Sequence, residues 1–426
     1  MIRKINFNLL QVYLLILFVS QQLPAKSAMT EVLTLDTCYM LARQNYPLLK
    51  QMSLLEKTKD YSLSNISKGY LPQLSINGQA TYQSEVTEIA IPMANTTKLS
   101  KDQYKLYGEI NQPITDAIVI SQQKNFARSN SEVQEQKLEV ELYYLKDRIN
   151  SLFFGVLLID AQISQTELLK KDITIGITKI EAAVLNGISL KSNLDLLNAE
   201  LLTAKQKSTE LSSNRTALTN MLSLFINRDI GPETKFESPV KVILSETINR
   251  PELKMFEAQK KNAEIQNDIL VAKNIPRLNL FVQGGYGRPA LNFLDNDLKS
   301  YYIGGLRLNW NLSNFYTYSK EKKIIQLNQD AVDIQKEVFL FNTNLVLKQQ
   351  NAEVAKYEEL IKSDLEIISL REKVKITSNN QLENGTITTN DFLTIVNSED
   401  KSRQNLLLHQ IQLLLAQYNY QTSSGN

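Results

Sequence analysis

The sequence predicts a mainly α-helical chain with a smaller β component, built as an internal tandem repeat. Three observations carry that expectation. Short phrases recur in the same order in both halves, runs alternating apolar and polar residues follow a proline in each half, and long proline-free stretches show a heptad pattern.

Four anchors define the repeat. Tyr46-Pro47-Leu48 returns as Arg250-Pro251-Glu252-Leu253, and a second proline follows 25 residues later in each case, in Leu71-Pro72-Gln73-Leu74 and Ile275-Pro276-Arg277-Leu278. Asn111-Gln112-Pro113-Ile114 is matched by Asn309-Trp310-Asn311-Leu312, and Asn186-Gly187-Ile188 by Asn384-Gly385-Thr386, both at an offset of 198. The earlier anchors are offset by 204, so a length difference of six falls between Pro72 and Asn111 and marks a loop. The expected organisation is a first repeat at 29–230, a connector at 231–246 and a second repeat at 247–426.

Residues 1–28 read as a secretory signal peptide: Arg3 and Lys4, the apolar run Leu9 to Val19, then Ala25-Lys26-Ser27 as a cleavage site. The apolar run is shorter than the roughly 20 residues a spanning helix needs. No later stretch looks long and apolar enough to span a bilayer as a helix, so membrane insertion would have to come from a β-barrel.

Each repeat opens with a helical stretch, 36–68 or 247–274, with Pro47 or Pro251 near its start and Pro72 or Pro276 after its end. The period then changes to two. Leu74, Ile76, Gly78, Ala80 and Tyr82 alternate with polar residues, as do Leu278, Leu280, Val282, Gly284 and Tyr286; a second run follows each loop, through Tyr104, Leu106, Gly108 and Ile110, and through Tyr302, Gly304, Leu306, Leu308 and Trp310. These predict β-hairpins at 73–113 and 277–312. They fit ordinary soluble hairpins taken singly, and transmembrane strands taken together behind a signal peptide.

Helical hairpins are expected at 114–226 and 313–420. Leu138, Leu142, Leu145, Ile149, Leu152, Val156, Ile159 and Ile163 step by four and three. In the second repeat Leu340, Leu347, Val354, Ile361 and Ile368 recur every seven, beside a second stripe of Phe339, Val346, Leu360, Ile367 and Val374. A doubled stripe predicts a coiled-coil helix with a neighbour on each side. Gly187 and Gly385 supply the turns.

Other functions find little support. Lys and Arg number 47 against 45 Asp and Glu, without a dense basic run, which argues against a nucleic-acid partner. Cys38 is the single cysteine and lies well past the apolar run, so neither an intrachain disulfide nor a lipid anchor is expected. His409 is the single histidine, on an apolar stripe opposite Leu211 of the first repeat, which leaves no His-based metal site and no catalytic triad. Gly284-Gly285-x-Gly287 follows a strand without opening a helix, unlike a phosphate loop. Neither an enzyme nor a cofactor is expected.

Four strands cannot close a barrel on their own, and an open sheet edge cannot face lipid. The strands would have to be pooled between copies of the chain, twelve for three subunits.

Here the chain resembles the TolC-like outer-membrane efflux proteins. The resemblance runs over nearly the whole mature chain and rests on the Pro-x-Leu phrases, the paired hairpins, and the tip phrases Asn186-Gly187-Ile188-Ser189 and Asn384-Gly385-Thr386-Ile387 with the aliphatic stretches after them. It implies a homotrimer with a twelve-stranded barrel in the outer membrane and an α-helical coiled-coil barrel crossing the periplasm. It further implies a periplasmic adaptor protein and an inner-membrane pump as partners, and a passive exit duct for efflux. The outlet of a type I protein secretion system is the nearest alternative; a periplasmic structural coiled coil without a pore is a more distant one.

By the same resemblance, Asp391 matches an acidic position that narrows the pore, whereas Thr394 and Asn193 stand where further acidic residues would be expected. An ordinary first-turn helix residue is the competing account of Asp391. Gly187 and Gly385 would present adaptor-docking tips. Trp310, Tyr301 and Tyr302 are candidate membrane-interface aromatics.

Overall fold

The computed structural model describes residues 32–87 and 99–426; the predicted signal peptide lies outside them. The first repeat contains β1 (Val32–Leu33), α1 (Leu35–Asn45), α2 (Leu49–Ser67), β2 (Gln73–Tyr82), β3 (Asp102–Pro113), α3 (Asp116–Tyr143), α4 (Leu145–Leu185) and α5 (Lys191–Ile226). After β4 (Lys235–Phe236), the second contains α6 (Pro251–Lys273), β5 (Arg277–Arg288), β6 (Lys299–Asn309), α7 (Phe315–Glu383) and α8 (Thr389–Ser424).

The two prolines act differently. Pro251 is the first residue of α6, where a missing amide goes unnoticed, and Arg250 before it is extended at φ −78° and ψ 143°. Pro47 instead falls between α1 and α2, so the expected single helix over 36–68 is two. A proline disfavours the helical conformation in the residue before it, and the chain restarts its helix only at Leu49.

The strands form one antiparallel sheet in the order β2-β3-β5-β6, and the join between the repeats is made by β3 on β5. Its two outer strands, β2 and β6, each keep one unpaired edge among the described residues.

The helical hairpins differ more than the repeat predicts. α7 runs 69 residues unbroken, whereas its first-repeat counterpart is interrupted at Tyr144. Both tyrosines at the break are anchored sideways: Tyr143 donates from its hydroxyl to the Thr422 carbonyl at 2.9 Å, and Tyr144 to Glu252 Oε1 at 3.2 Å. Between them sits Arg250, bonded to Glu252 and to the Thr422 carbonyl, its guanidinium 4.7 Å from the Tyr143 ring and 5.4 Å from that of Tyr144. Phe341 and Asn342 occupy this place in α7 and are exposed.

The chain divides into two compact units. Of the described residues, the first comprises 32–42, 149–240 and 362–411. Its core near the hairpin turns joins Ile173, Ile180 and Leu197 to Leu382, Phe392 and Val396. There β4, in the expected connector, pairs in parallel with β1; Phe236 packs on Phe153 at 5.2 Å, and Arg215 bonds Asp160 and the Thr234 carbonyl. Cys38 is also buried here, and burial pushes its thiol up to about 12, far from thiolate reactivity. The second unit, residues 43–148, 241–361 and 412–426, holds the sheet and a smaller cluster of Val354, Leu413 and Ala416 against Leu244 and Tyr357.

The stretch 116–185 contains a window of mean hydropathy 1.3, apolar and long enough to cross a membrane by composition, contrary to the sequence expectation. Core helices pass the same test, and in the first unit Ile149, Phe153 and Val156 of this stretch are fully buried.

Candidate functional site

The sheet is apolar on one face, and the described residues leave that face uncovered. Its register pairs even-numbered residues with even-numbered ones throughout: Leu74 with Ile110, Ile110 with Val282, Val282 with Gly304, and Leu280 with Leu306. One face therefore carries nearly all the aliphatic side chains, and they are exposed, Ile76 by 85% and Leu308 by 67%. A soluble sheet of this pattern would bury that face. The charged strand residues on it are Asp102 and Arg288, ion-paired at the loop end, with the Arg288 guanidinium 5.2 Å from the Tyr104 ring.

The other face is polar, bearing Gln73, Ser75, Asn77 and Gln79 on β2 and Glu109 on β3. Glu109 accepts from Arg307 at 3.0 Å and from Gln283 at 2.6 Å. Tyr301 and Tyr302 are adjacent on a strand and so face opposite sides: Tyr302 stands opposite Gly284 on the apolar face, Tyr301 opposite Gly285 on the polar one. Of the two tyrosines, only Tyr302 shares a face with the exposed aliphatic side chains. Trp310 follows β6, its indole N–H donating to the Asn274 carbonyl at 3.1 Å and its ring packed edge-on to Phe315.

The doubled stripe on α7 divides as a helix between two neighbours should. Leu347, Val354 and Ile368 are buried within the chain, whereas Val346, Leu360, Ile367 and Val374 are exposed, as are Ile324, Leu327, Ile334, Val338, Phe341 and Leu345 further toward its start. Apart from the adjacent Leu345 and Val346, that exposed set steps by three, four or multiples of seven, the spacing of a coiled-coil seam.

The two helical turns are built alike. Gly187 and Gly385 have φ of +75° and +67°. In the first, Ile188 N–H donates to the Ala183 carbonyl at 2.8 Å and Gly187 N–H to Val184; in the second, Thr386 donates to Gln381 at 2.9 Å and Gly385 to Leu382. Both are Schellman closures, and in both the preceding asparagine amide donates to a carbonyl four residues back. They differ in surface: Leu185, Ile188 and Leu190 are exposed around the first turn, and Glu383, Thr386 and Thr388 around the second.

Asp391 and Thr394 are exposed one turn apart at the start of α8, and Asn193 is half-buried near the start of α5. Asp391 also closes a capping box. Its Oδ2 accepts from the Thr388 hydroxyl at 2.7 Å and amide at 3.3 Å, while its own amide donates back to Thr388 Oγ1 at 3.1 Å. Asn193 has no such box; its amide donates to Ser189 Oγ at 3.1 Å.

Sequence reasoning missed a buried polar network in the same unit. Glu399, 2% exposed, accepts from Lys375 at 3.3 Å and from Arg403, and Lys375 also binds Asp172. Burial alone would lower the Lys375 ammonium, but bonding to Asp172 and Glu399 outweighs it and raises the group above its usual range. Next to Glu399, Asp400 accepts from Gln165 and Gln404, and its carboxyl is raised by burial. His409 is no idle apolar-stripe residue: its Nδ1 lies 2.6 Å from Asp364 Oδ2. The equivalent first-repeat pair, Leu211 and Thr166, is buried without charge.

No protein-family model matches this sequence, and no curated protein matches it either. The fold does match solved structures. CusC, described in terms of folding and transmembrane channel formation, aligns with a TM-score of 0.68 over 91% of both chains at 14% identity. The outer-membrane protein VceC of Vibrio cholerae gives 0.65 over 92% of this chain and 96% of that one at 13% identity. The outer-membrane channel MtrE of Neisseria gonorrhoeae, in its open state, gives 0.59 over 92% and 89% at 14% identity. The chain has the fold of these TolC-like outer-membrane channels, with a four-stranded antiparallel sheet and long helical hairpins.

Proposed function

We propose that this chain is one subunit of an outer-membrane channel, a passive exit duct for small molecules driven by an inner-membrane pump. The observation that carries this is the exposed apolar sheet face with unpaired β2 and β6 edges, since lipid and neighbouring strands are what satisfy such a sheet. Three copies give twelve strands, the polar face becomes the lumen, and the exposed α7 seam meets the next subunit. Tyr302 on the apolar face and Trp310 just past the end of β6, eight residues apart, span about 26 Å along the chain at strand rise, or roughly 20 Å of height at the usual barrel tilt, most of an outer-membrane hydrocarbon band.

The helical hairpins would then form a tunnel in the periplasm. At its tips, Gly187 and Gly385 would present the turns to an adaptor protein, and Asp391 would place a ring of three carboxylates near Thr394 and Asn193 to narrow the pore. The outlet of a type I secretion system uses the same duct with a different pump. Cell fractionation tests the proposal: trimers that resist dissociation until heated, recovered from outer-membrane fractions, are expected. A mature chain soluble without detergent would contradict it and favour a structural coiled coil.

A further inference from the structure

The tandem repeat relates contacts inside one chain to contacts between copies of it. In a closed ring each helical hairpin has two neighbours, the other hairpin of its own chain and one from the next copy. The step from first to second repeat within a chain then recurs from second to first between chains. Every contact between the repeats has a counterpart across copies, found by moving each residue to its equivalent 198 positions away.

Within the first unit, polar contacts join the two hairpins of one chain. Gln165 meets Asp400 at 2.8 Å, Asp172 meets Lys375 at 2.5 Å, Lys179 pairs with Glu383, and Glu200 meets Asn397 at 2.8 Å. Their counterparts carry no charge: Ser363 with Leu202, Leu370 with Ile177, Thr377 with Leu185, and Ser398 with Ala199. Three of these are large aliphatic side chains left exposed by the single chain, Leu185 by 82%, Leu202 by 65% and Leu370 by 64%. The apolar part of the seam exchanges in the opposite sense. Ile173 and Ile180 share a buried cluster with Phe392, and their equivalents are Arg371 and Ser378.

An adaptor seated on the tips would account for exposed Leu185, two residues before Gly187. It does not reach Leu202 and Leu370, each 15 residues from its tip glycine and so about 22 Å up the helix. We infer that Leu202, Ile177 and Leu185 of one copy receive Ser363, Leu370 and Thr377 of the next, an uncharged seam between chains that alternates around the ring with an ion-tied seam inside each chain. The partner is a second copy of this chain, and the inference rests on the duct reading, which supplies the ring. A hairpin that took the wrong neighbour would press Asp172, Lys375 or Glu383 against an aliphatic side chain and strand the charge, so the exchange of chemistry fixes the order of hairpins.

Disulfide cross-linking of outer-membrane trimers tests it, with native Cys38 buried and its thiol pushed far from reactivity. Leu370→Cys with Ile177→Cys, and separately Ser363→Cys with Leu202→Cys, should each give covalent dimers and trimers on oxidation. Asp172→Cys with Lys375→Cys should close within single chains. Leu370→Ser should leave the chain folded, since the residue is exposed there, and shorten the half-life of the trimer in detergent about tenfold, the scale of one buried leucine. Intact trimers in which neither between-copy pair links, a ladder of covalent oligomers from the Asp172 and Lys375 pair, or an unchanged half-life in Leu370→Ser would overturn the seam. A chain that forms no oligomer would overturn the duct reading instead.

Discussion

Thr388 and Asp391 cap the last long helix reciprocally, the threonine hydroxyl and amide both donating to Asp391 Oδ2 while the Asp391 amide donates to Thr388 Oγ1. A residue proposed to narrow the pore therefore also holds the helix start in place, and the two roles separate by substitution. Asp391→Asn keeps an acceptor oxygen and removes the charge; it should change divalent block while leaving thermal stability nearly intact. Asp391→Ala removes both and should cost about 1 kcal/mol of local stability as well. If Asp391→Asn leaves ion block and selectivity as they were, the pore role is wrong and the cap is the whole function of the residue.

The Glu399 network predicts a contrast between buried and exposed charges. Glu399→Gln leaves Lys375 and Arg403 partly uncompensated in a buried site and should lower stability by about 3 kcal/mol. Lys207→Ala breaks the exposed pair with Glu210 and should cost less than about 0.5 kcal/mol. Thermal dissociation of the two variants, measured side by side, checks this; equal small effects would mean that the buried network holds nothing.

Asp364 and His409 stand where the first repeat has Thr166 and Leu211, so the polar pair appears to the fold as one exchange of two residues. His409→Leu alone strands the buried Asp364 carboxylate and should destabilise by about 1–3 kcal/mol. Adding Asp364→Thr should recover most of that loss. A double-mutant cycle on unfolding reads the coupling directly, and strictly additive effects would contradict it.

Asp400 predicts a pH dependence of definite sign. Burial raises its carboxyl above the usual carboxylate range, against the opposing hydrogen bonds from Gln165 and Gln404. The folded state then binds a proton more tightly than the unfolded one, so this group makes stability fall as pH rises from the ordinary carboxylate range through the folded value. Asp400→Asn should remove that slope and raise the dissociation temperature at neutral pH. A variant less stable than the parent at pH 7, with the slope unchanged, would contradict the assignment.

Much of this architecture is legible in the residues because it is periodic. Alternation from Leu74 to Tyr82 and from Leu278 to Tyr286 sets the apolar sheet face, and the two stripes of α7 foretell one buried and one exposed seam. The turns at Gly187 and Gly385 follow from glycine where a left-handed residue closes a helix. The capping box was also present as Thr388-Thr389-Asn390-Asp391, a local signal that the first-turn account of Asp391, resting on the helix dipole alone, passed over. What periodicity does not encode is long-range polar pairing. Lys375 meets Asp172 across 203 positions, and Tyr144 meets Glu252 across 108, so neither the buried network nor the break between α3 and α4 leaves a local trace. The β1 and β4 strands are two residues each, too short for any period to show. Alternation also separates Tyr301 from Tyr302, although the two are grouped together as candidate interface aromatics.

Planar-bilayer conductance of the detergent-extracted protein, with the oligomeric mass determined on the same sample, tests the central claim most directly. A trimer giving discrete, stable current steps is the predicted result. A trimer that gives no current even when Gly385→Ala and Asp391→Ala loosen the tip, or a monomer soluble without detergent, would contradict the duct and leave a structural coiled coil in its place.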